Sequence, residues 1–249
     1  MDSVGLLTEL VTQPTVSGDP RPQRSSMDAI VSVLRARVGH LAIDGDPDGP
    51  HPWLLITNPS PPTSKRLMFA CHVDTVPAGD LSNWQFDPFA ADIEHGVLRG
   101  RGTSDMKAGL VAATAAVMDA FDNGVPAALL LTSDEEIGSL GARAARHAVA
   151  ECAVGAVVVP EATGNQVHLG HRGALWVDVT TKGIAAHGST PHRGESAIMK
   201  LVDVLARART ELPLSTDQFL GAETFNVGLI DGGSAPNIVP DTAHVVPDG

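Results

Sequence analysis

The sequence is poor in several residue types on which other classes of protein depend. Two cysteines among 249 residues exclude a disulfide framework and make a reducing cytoplasm the expected location. Basic residues number 17 against 29 acidic ones, for a net charge of −12, which argues against nucleic acid or an anionic membrane as partner. No apolar run is long enough to span a bilayer, and the start, MDSVGLLTEL, lacks the basic region of a signal peptide. Tyrosine is absent, which we attribute to genome composition.

Apolar runs and helical spacings alternate over the first two thirds of the chain. In chain order, these strand-like and helix-like segments lie at 66–74, 105–121, 127–133, 139–150 and 154–162. The apolar runs are typical of strands buried on both faces, and Ser139 stands where it could cap the second helix. The order predicts an α/β fold with a mostly parallel sheet and helices on both faces.

Other segments predict loops and a further domain. Proline, glycine and serine predict loops at 17–26, 44–52 and 58–65, and apolar spacing predicts a helix over 27–38. After residue 173 the pattern becomes strand, helix, strand, strand, at 174–183, 195–212, 224–233 and 241–246. Alternating strands of this kind expose one face and are typical of a small antiparallel α+β domain. We therefore predict domains at 1–173 and 174–249.

Residues able to bind metal stand at the end of each predicted strand of the first domain. They are His72 and Asp74, the run Asp134-Glu135-Glu136, and Glu161, joined by Asp105 before a helix. Sites in open α/β sheets form at the carboxyl ends of strands, so the coincidence favours a metal site. Taken singly, each has an ordinary alternative: a core or surface histidine, a helix N-cap for Asp105, a solvated carboxylate or turn for the glutamates.

Charge counting favours two divalent cations at this edge. Asp105, Glu136 and Glu161 carry three negative charges, and a bridging hydroxide would balance two Zn²⁺ ions about 4 Å apart. Adjacent side chains of an extended segment point in different directions, so Glu136 is expected to bind metal and Glu135 to act as general base. Asp74 lies two residues from His72 on one strand face and is expected to orient its ring.

Four ordered motifs carry a resemblance that covers essentially the whole chain. FACHVDTVP, GRGTSDMKAG, LLTSDEEIGSLGAR and VVPEATG closely resemble the di-zinc hydrolases that include acetylornithine deacetylase, succinyl-diaminopimelate desuccinylase, aminoacylase and carboxypeptidase G. The resemblance implies a zinc-exopeptidase-like catalytic domain and an inserted ferredoxin-like lid domain. It implies His72 and Glu161 on one metal, Asp105 bridging, Glu136 on the other, and a cis peptide between Asp105 and Met106. The metals would be zinc, with cobalt or manganese as alternatives.

The second domain resembles the family's lid or dimerisation domain. The resemblance implies that His187 stabilises a developing oxyanion in the partner subunit's site, with a surface histidine as the alternative. Asn237, in GGSAPNIVPD, is expected to contact substrate, and Arg172 is expected either to do so or to serve as a hinge. A homodimer through helix 195–212 and an edge strand is expected of the intact protein.

The predicted activity is hydrolysis of the amide bond of an N-acyl amino acid or small peptide. A metal-bound hydroxide would attack the carbonyl, and Glu135 would pass the proton to the leaving amine. The chain is shorter than its family, so a last histidine ligand is expected to be missing. The alternative function is accordingly an inactive remnant that at most binds metal or dimerises. A related co-catalytic aminopeptidase is disfavoured, because it lacks the inserted lid.

Overall fold

The computed structural model describes residues 1–59 and 64–249, which divide into two compact units, Met1–Asn165 and Gln166–Gly249. The sequence places the boundary after residue 173, a few residues later than this division. Part of the loop predicted at 58–65 falls on residues 60–63 and so lies outside the described residues. In the part of the chain that is described, no helix is long and apolar enough to cross a membrane.

Unit 1 is built around one sheet. Its helices are α1 Ser3–Val11, α2 Pro20–Arg35, α3 Ala108–Asp122 and α4 Leu140–Glu151. Its strands are β1 Ala42–Asp46, β2 Trp53–Thr57, β3 Arg66–His72, β4 Ile93–Glu94, β5 Val97–Leu98, β6 Ala127–Thr132 and β7 Val154–Val158. Among the described residues the sheet order is β1-β2-β6-β3-β7, with β4 and β5 forming a separate ribbon.

The sheet is mixed, which corrects the prediction of a mostly parallel one. β3 runs parallel to β6 and β7, whereas β1 pairs antiparallel with β2 and β2 antiparallel with β6. The hairpin β1–β2 escaped prediction because β1, with sequence AIDGD, is polar and almost wholly exposed. Such a strand has no apolar alternation from which to be recognised.

Helices cover both faces of the sheet, as the sequence predicts. On β6, Leu129 and Leu131 belong to the core cluster shared with α1, α2 and α3. Ala128 and Leu130 belong to a second cluster that contains Ala145 of α4. Successive residues of a strand point to opposite faces, so this fully buried strand supplies both cores and anchors the edge that follows it.

Two local predictions are wrong. Helix α2 begins at Pro20, inside the loop predicted at 17–26, because the Asp19 carboxylate caps it and proline is tolerated in a first helical turn. Ser139 precedes α4 but makes no capping hydrogen bond: its φ is 55°, and its hydroxyl lies 3.5 Å from Glu135 Oε1.

Unit 2 is a small α+β unit. Its helix is α5 Ala197–Glu211. Its strands are β8 Val179–Lys182, β9 Ala186–His187, β10 Thr216–Asp217, β11 Gly221–Ala222, β12 Asn226–Gly232, β13 Ile238–Val239 and β14 Thr242–Asp248. The longer strands form an antiparallel sheet in the order β12-β14-β8, and α5 packs on it through Leu201 and Ala197 against Ala243 and Val245.

A histidine between two carboxylates makes the stability of unit 2 depend on pH. His244 on β14 places Nε2 2.9 Å from Asp178 Oδ1 and Nδ1 3.1 Å from Asp231 Oδ1. The hydrogen bonds that the His244 ring donates to Asp178 and Asp231 raise the pKa of His244 above its usual value. The folded protein therefore holds this proton more tightly than the unfolded chain, and the stabilisation is complete below the unfolded pKa of about 6.5.

We predict that this contribution is lost as pH rises through the raised folded pKa. In wild type, urea unfolding of unit 2 should become easier as pH rises above about 6.5 and through the raised pKa of His244, and His244→Gln should reduce that dependence. His147, an exposed histidine on α4, supplies the control variant His147→Gln. An unchanged pH dependence in His244→Gln would contradict the prediction.

Candidate metal centre

The carboxyl ends of the parallel strands bring the predicted ligands to one edge of the sheet. β3 ends at His72, β6 ends at Thr132 two residues before Asp134, and β7 ends at Val158 three residues before Glu161. Because β3 lies between β6 and β7 and parallel to both, the three segments that follow them leave the same edge. Topology alone therefore collects the acidic run, the histidine and Glu161.

Three side chains converge on one point. His72 Nε2 lies 3.2 Å from Asp105 Oδ1 and 3.4 Å from Glu161 Oε1. These three ligand atoms lie within 4.8 Å of one another and form the only such group of three or more among the described residues. One imidazole and two carboxylates are a donor set that zinc and other divalent cations accept.

The His72 ring is buried, and its Nδ1 faces acceptor oxygens of Asp74 on the side away from Asp105 and Glu161. Nδ1 lies 3.1 Å from the backbone carbonyl oxygen of Asp74 and 3.5 Å from its carboxylate. Burial lowers the pKa of His72, but hydrogen bonding with Asp105, Asp74 and Glu161 outweighs it and raises the pKa to about 12. A positive charge is thus strongly favoured between these carboxylates, which a bound cation would supply in place of the proton.

The segment that carries Asp105 is a tight turn before α3. Gly102 has a φ of 79°, and a Cβ there would lie 2.4 Å from Thr75 Cγ2. The peptide bond between Asp105 and Met106 is cis, as the resemblance implies. Asp105 is not the N-cap of α3, which is Lys107, so the capping alternative fails. Lys107 is itself buried, and its Nζ donates to the carbonyls of Leu10 at 2.8 Å and Gln13 at 3.0 Å.

Asp74 does more than the sequence indicated. Its carboxylate is fully buried and accepts hydrogen bonds from the backbone N–H of Glu135 at 3.0 Å and of Glu136 at 3.2 Å. It also accepts the Ser17 hydroxyl at 2.6 Å. The ring of His72 is oriented chiefly by the backbone oxygen of Asp74, while the carboxylate holds the backbone of the two glutamates.

Glu135 and Glu136 stand half-buried at the rim. Burial is the main cause that raises the pKa of each carboxyl above its usual value, with neighbouring carboxylates adding to it. Glu136 and Asp105 line a small pocket of about 150 Å³ together with Arg101, Thr103 and other residues of the Asp105 turn. Glu136 is not part of the three-ligand group, so three of the four predicted ligands are brought together and the fourth shares a pocket with one of them.

The predicted residues of unit 2 fall in two places. His187 on β9 pairs with Ile238 on β13, and the Gly188 N–H donates to the Asn237 carbonyl at 2.7 Å. Both side chains are exposed. His187 Nδ1 lies 2.8 Å from the Ser189 hydroxyl. Arg172 lies apart from them: it donates to the Ala222 carbonyl and lines an apolar groove of about 960 Å³ within this unit.

Sequence reasoning missed the residues behind the acidic run. The Asp134 carboxylate accepts from the Gly18 N–H and from Gln23 Nε2, each at 2.8 Å, and lies 2.8 Å from His51 Nδ1. No motif in the sequence singles out His51. A signal for this set lies in the SGD segment at 17–19, which falls in the predicted loop 17–26 and carries no ligand chemistry of its own.

Gly109 on α3 lies against the backbone of Pro160, the residue before Glu161. A Cβ at Gly109 would lie 2.0 Å from the Pro160 carbonyl oxygen, well inside van der Waals contact. Because the obstacle is backbone, Gly109→Ala must displace Pro160 and with it the adjacent ligand. We predict a loss of about 1–3 kcal/mol in unfolding free energy and a fall of about tenfold or more in zinc affinity.

Urea unfolding and competition titration against a chromophoric chelator would measure both effects. Gly39→Ala is the matched control, since a Cβ at Gly39 has nothing within 4 Å. Equal zinc affinity in the two variants would show that the contact does not place Glu161.

A match to a protein-family model shows which family this chain belongs to. Residues 68–236, most of the chain and both units, match the model of Peptidase family M20/M25/M40. The chain belongs to this peptidase family. The predicted family is thereby confirmed, as is membership in a family of hydrolases.

Curated relatives of this M20 chain are longer than it is. It is 35% identical over 192 residues to succinyl-diaminopimelate desuccinylase of Beijerinckia indica, covering 72% of this chain and 50% of that protein. It is 30% identical over 253 residues to the protein of that name from Cereibacter sphaeroides, covering 96% and 65%. The chain thus spans about half to two thirds of the length of these relatives.

Solved structures share the fold. A metallo-carboxypeptidase of the M20 family, Sso-CP2 from Sulfolobus solfataricus, has a TM-score of 0.77 at 19% identity and covers all of this chain and 70% of its own. The di-peptidase Dug1p from Saccharomyces cerevisiae has a TM-score of 0.71 at 18% identity and covers 99% and 68%. At this identity the likeness concerns the mixed α/β fold.

Proposed function

We propose that this chain forms the catalytic part of a metal-dependent hydrolase that cleaves the amide bond of an N-acyl amino acid or small peptide. The observation that carries the proposal is the convergence of His72, Asp105 and Glu161 within 4.8 Å at the end of parallel strands. A second support is that several curated relatives are named succinyl-diaminopimelate desuccinylase, an activity that removes an acyl group from an amine.

The donor set fits divalent metal. In the proposal His72 and Glu161 would hold one ion and Glu136 a second, with Asp105 shared between them; zinc is the expected metal and cobalt or manganese are alternatives. The ions would supply Lewis acidity and lower the pKa of water. The pKa of His72, raised to about 12 by carboxylates on one ring nitrogen and by Asp74 on the other, supports a site built for positive charge.

Glu135 is proposed as the general base. It would take a proton from the attacking water and pass it to the leaving nitrogen. Two observations support this role: burial raises its pKa towards working pH, and its backbone N–H is fixed by Asp74 at 3.0 Å. Asp74 would act by holding His72 and the glutamate backbone. His187, Asn237 and Arg172 are proposed to contribute to catalysis or substrate binding. For His187 and Asn237 the support is their proximity: β9, which ends at His187, pairs with β13, which Asn237 immediately precedes, and the Gly188 N–H donates to the Asn237 carbonyl at 2.7 Å.

Self-association through unit 2 is part of the proposal. β12 is an edge strand of its sheet, and every residue from Asn226 to Gly232 is exposed. Leu229 is 67% and Ile230 57% exposed, and an edge with apolar side chains favours pairing with another chain. The expected homodimer would dissociate in Leu229→Lys, as measured by analytical ultracentrifugation. A cytoplasmic location is likewise proposed, supported by unpaired Cys71 and Cys152.

Metal stoichiometry joined to hydrolysis tests the function. Purified protein would be re-equilibrated with excess Zn²⁺ at neutral pH, its zinc counted, and N-succinyl-diaminopimelate, N-acetylornithine and dipeptides offered as substrates. We expect about two ions per chain and hydrolysis of an N-acyl substrate. One ion or none, with no hydrolysis, would favour the alternative of an inactive metal-binding or dimerising remnant.

A further inference from the structure

The first acid of the run Asp134-Glu135-Glu136 has a role that differs from those of its two neighbours. Its side chain is buried, with 1% of its surface exposed, whereas the neighbouring glutamates are half-exposed. It also adopts a φ of 53°, a left-handed conformation that aspartate tolerates better than most residues but that needs support from its surroundings.

That support comes from Gly18, just before α2, and from Gln23 in the first turn of α2. Asp134 Oδ1 accepts the Gly18 N–H and the side-chain amide of Gln23, each at 2.8 Å, and the Asp134 N–H donates back to Gln23 Oε1 at 3.2 Å. Gln23 is itself fully buried. The Gln23 side-chain amide thus both donates to the Asp134 carboxylate and accepts from the Asp134 N–H. These two hydrogen bonds hold the side chain and the backbone of Asp134 together.

The second carboxylate oxygen faces a histidine. Asp134 Oδ2 lies 2.8 Å from Nδ1 of His51, just before β2. Among residues 1–59 and 64–249, the hydrogen-bond and ion-pair partners of this carboxylate are Gly18, Gln23 and His51, which lie outside the metal centre. Within the same residues the Asp134 carboxylate forms no hydrogen bond or ion pair with His72, Asp105 or Glu161, so its direct structural effect on the centre is through the backbone that it shares with Glu135 and Glu136.

The segment that contains Gly18 also holds the other carboxylate behind the centre. Ser17, next to Gly18, donates its hydroxyl to Asp74 at 2.6 Å and its N–H to the Thr75 carbonyl at 3.1 Å. Asp74 in turn accepts the N–H groups of Glu135 and Glu136. Ser17 and Gly18 thus connect the end of β3 to the turn after β6. The backbone of the two glutamates is held directly by Asp74 and, at the preceding residue, by the contacts of Asp134.

From this arrangement we propose that Asp134 is a positioning residue for Glu135 and Glu136. Its carboxylate locks the left-handed turn, which sets the direction in which the next two side chains leave the backbone. The inference rests on the proposed function for its catalytic consequence, but the positioning itself is a property of the chain. Without the carboxylate, three donors lose their acceptor and the turn loses the contacts that support its conformation.

The test compares three variants. Asp134→Ala removes the network, whereas Asp134→Asn keeps one acceptor oxygen for Gly18 and Gln23 and can donate to His51 Nδ1 once that ring changes tautomer. Val117→Ala, a buried position on α3 outside the site, provides a control for destabilisation alone. Each is examined by amide hydrogen exchange, by the visible absorption of bound Co²⁺, and by kinetics.

Asp134→Ala should accelerate exchange at the Glu135 and Glu136 amides by at least about tenfold beyond Val117→Ala. Its Co²⁺ absorption should change in shape, and kcat should fall about 10–100-fold with KM little altered. In Asp134→Asn, amide exchange, Co²⁺ absorption and kcat should each lie closer to wild type than in Asp134→Ala. Asp134→Ala behaving like Val117→Ala in exchange and Co²⁺ absorption would overturn the proposal. Failure of wild type to bind Co²⁺ or hydrolyse substrate would instead refute the proposed function, leaving hydrogen exchange to decide the role of Asp134.

Discussion

Replacing Glu135 by glutamine should lower kcat by about 10²–10⁴-fold, the range that a general base contributes, while zinc content stays within the error of wild type. Glutamine keeps the length and volume of the side chain but cannot accept a proton at working pH. The backbone N–H of residue 135, which Asp74 accepts at 3.0 Å, is untouched, so Glu136, the proposed ligand beside it, should keep its place.

Zinc counting and steady-state kinetics on the same preparations would measure both quantities. Glu151→Gln, at the end of α4 and far from the acidic run in sequence, is the control for loss of one carboxylate. Activity of Glu135→Gln within tenfold of wild type would remove Glu135 from the role of base. A large loss of zinc would instead show that it binds metal.

Asp74→Ala should be among the most destabilising single changes in unit 1. Asp74 is fully buried and accepts from the Ser17 hydroxyl, the Glu135 N–H and the Glu136 N–H, at 2.6, 3.0 and 3.2 Å. A buried donor left without an acceptor costs about 1–3 kcal/mol. We expect a total loss of about 3–5 kcal/mol in unfolding free energy, allowing for water entering the vacated space.

Urea unfolding of the metal-free protein isolates this effect from metal binding. Asp74→Asn keeps one acceptor oxygen and should fall between wild type and Asp74→Ala. Asp80→Ala, which removes an exposed aspartate that caps a short 3₁₀ turn, is the control. A loss below about 1 kcal/mol for Asp74→Ala would mean that water replaces the carboxylate and that the hydrogen bonds do not hold the glutamate backbone.

The two variants separate the roles of adjacent parts of one site. Glu135→Gln removes the proposed proton acceptor and leaves the backbone hydrogen bonds intact. Asp74→Ala instead removes the hydrogen bonds that hold the backbone of Glu135 and Glu136. Normal zinc content with strongly reduced kcat in Glu135→Gln would support the proposed role of Glu135. A lowered free energy of unfolding in Asp74→Ala would support the structural role of Asp74.

Much of the candidate site follows from sequence because it lies at strand ends. β6, with sequence AALLLT, is buried along its whole length, and a continuous apolar run followed abruptly by carboxylates marks where such a strand leaves the core. His72 and Glu161 follow neighbouring strands in the same way. The parallel direction of β3, β6 and β7 then places their ends together, so local patterns predict His72 and Glu161 as near neighbours, whereas Asp105 reaches them from the turn before α3.

The predictions from sequence are wrong or incomplete at Ser139, at the start of α2 and at β1, where the local pattern is compatible with more than one structure. Ser139 could have capped α4, but its backbone is left-handed and its hydroxyl faces Glu135. The prolines at 20 and 22 predicted a loop, yet the first turn of a helix requires no N–H from them and Asp19 caps it. The polar strand β1 was missed because pairing with β2, not burial of its own side chains, holds it in the sheet.

Periodicity and ordered motifs are local properties of the chain, and from them follow the family, the alternation of helices and strands in unit 1, and the residue types able to bind a cation. Other features become visible only in the folded protein: Asp74 holds the backbone of Glu135 and Glu136, Ser17 and Gly18 connect Asp74 to Asp134, and His51 faces a buried carboxylate. These contacts join residues separated by 57 to 116 positions. Hydrogen bonds over such separations leave no periodicity in a single sequence, since they depend on which loops the folded sheet brings together.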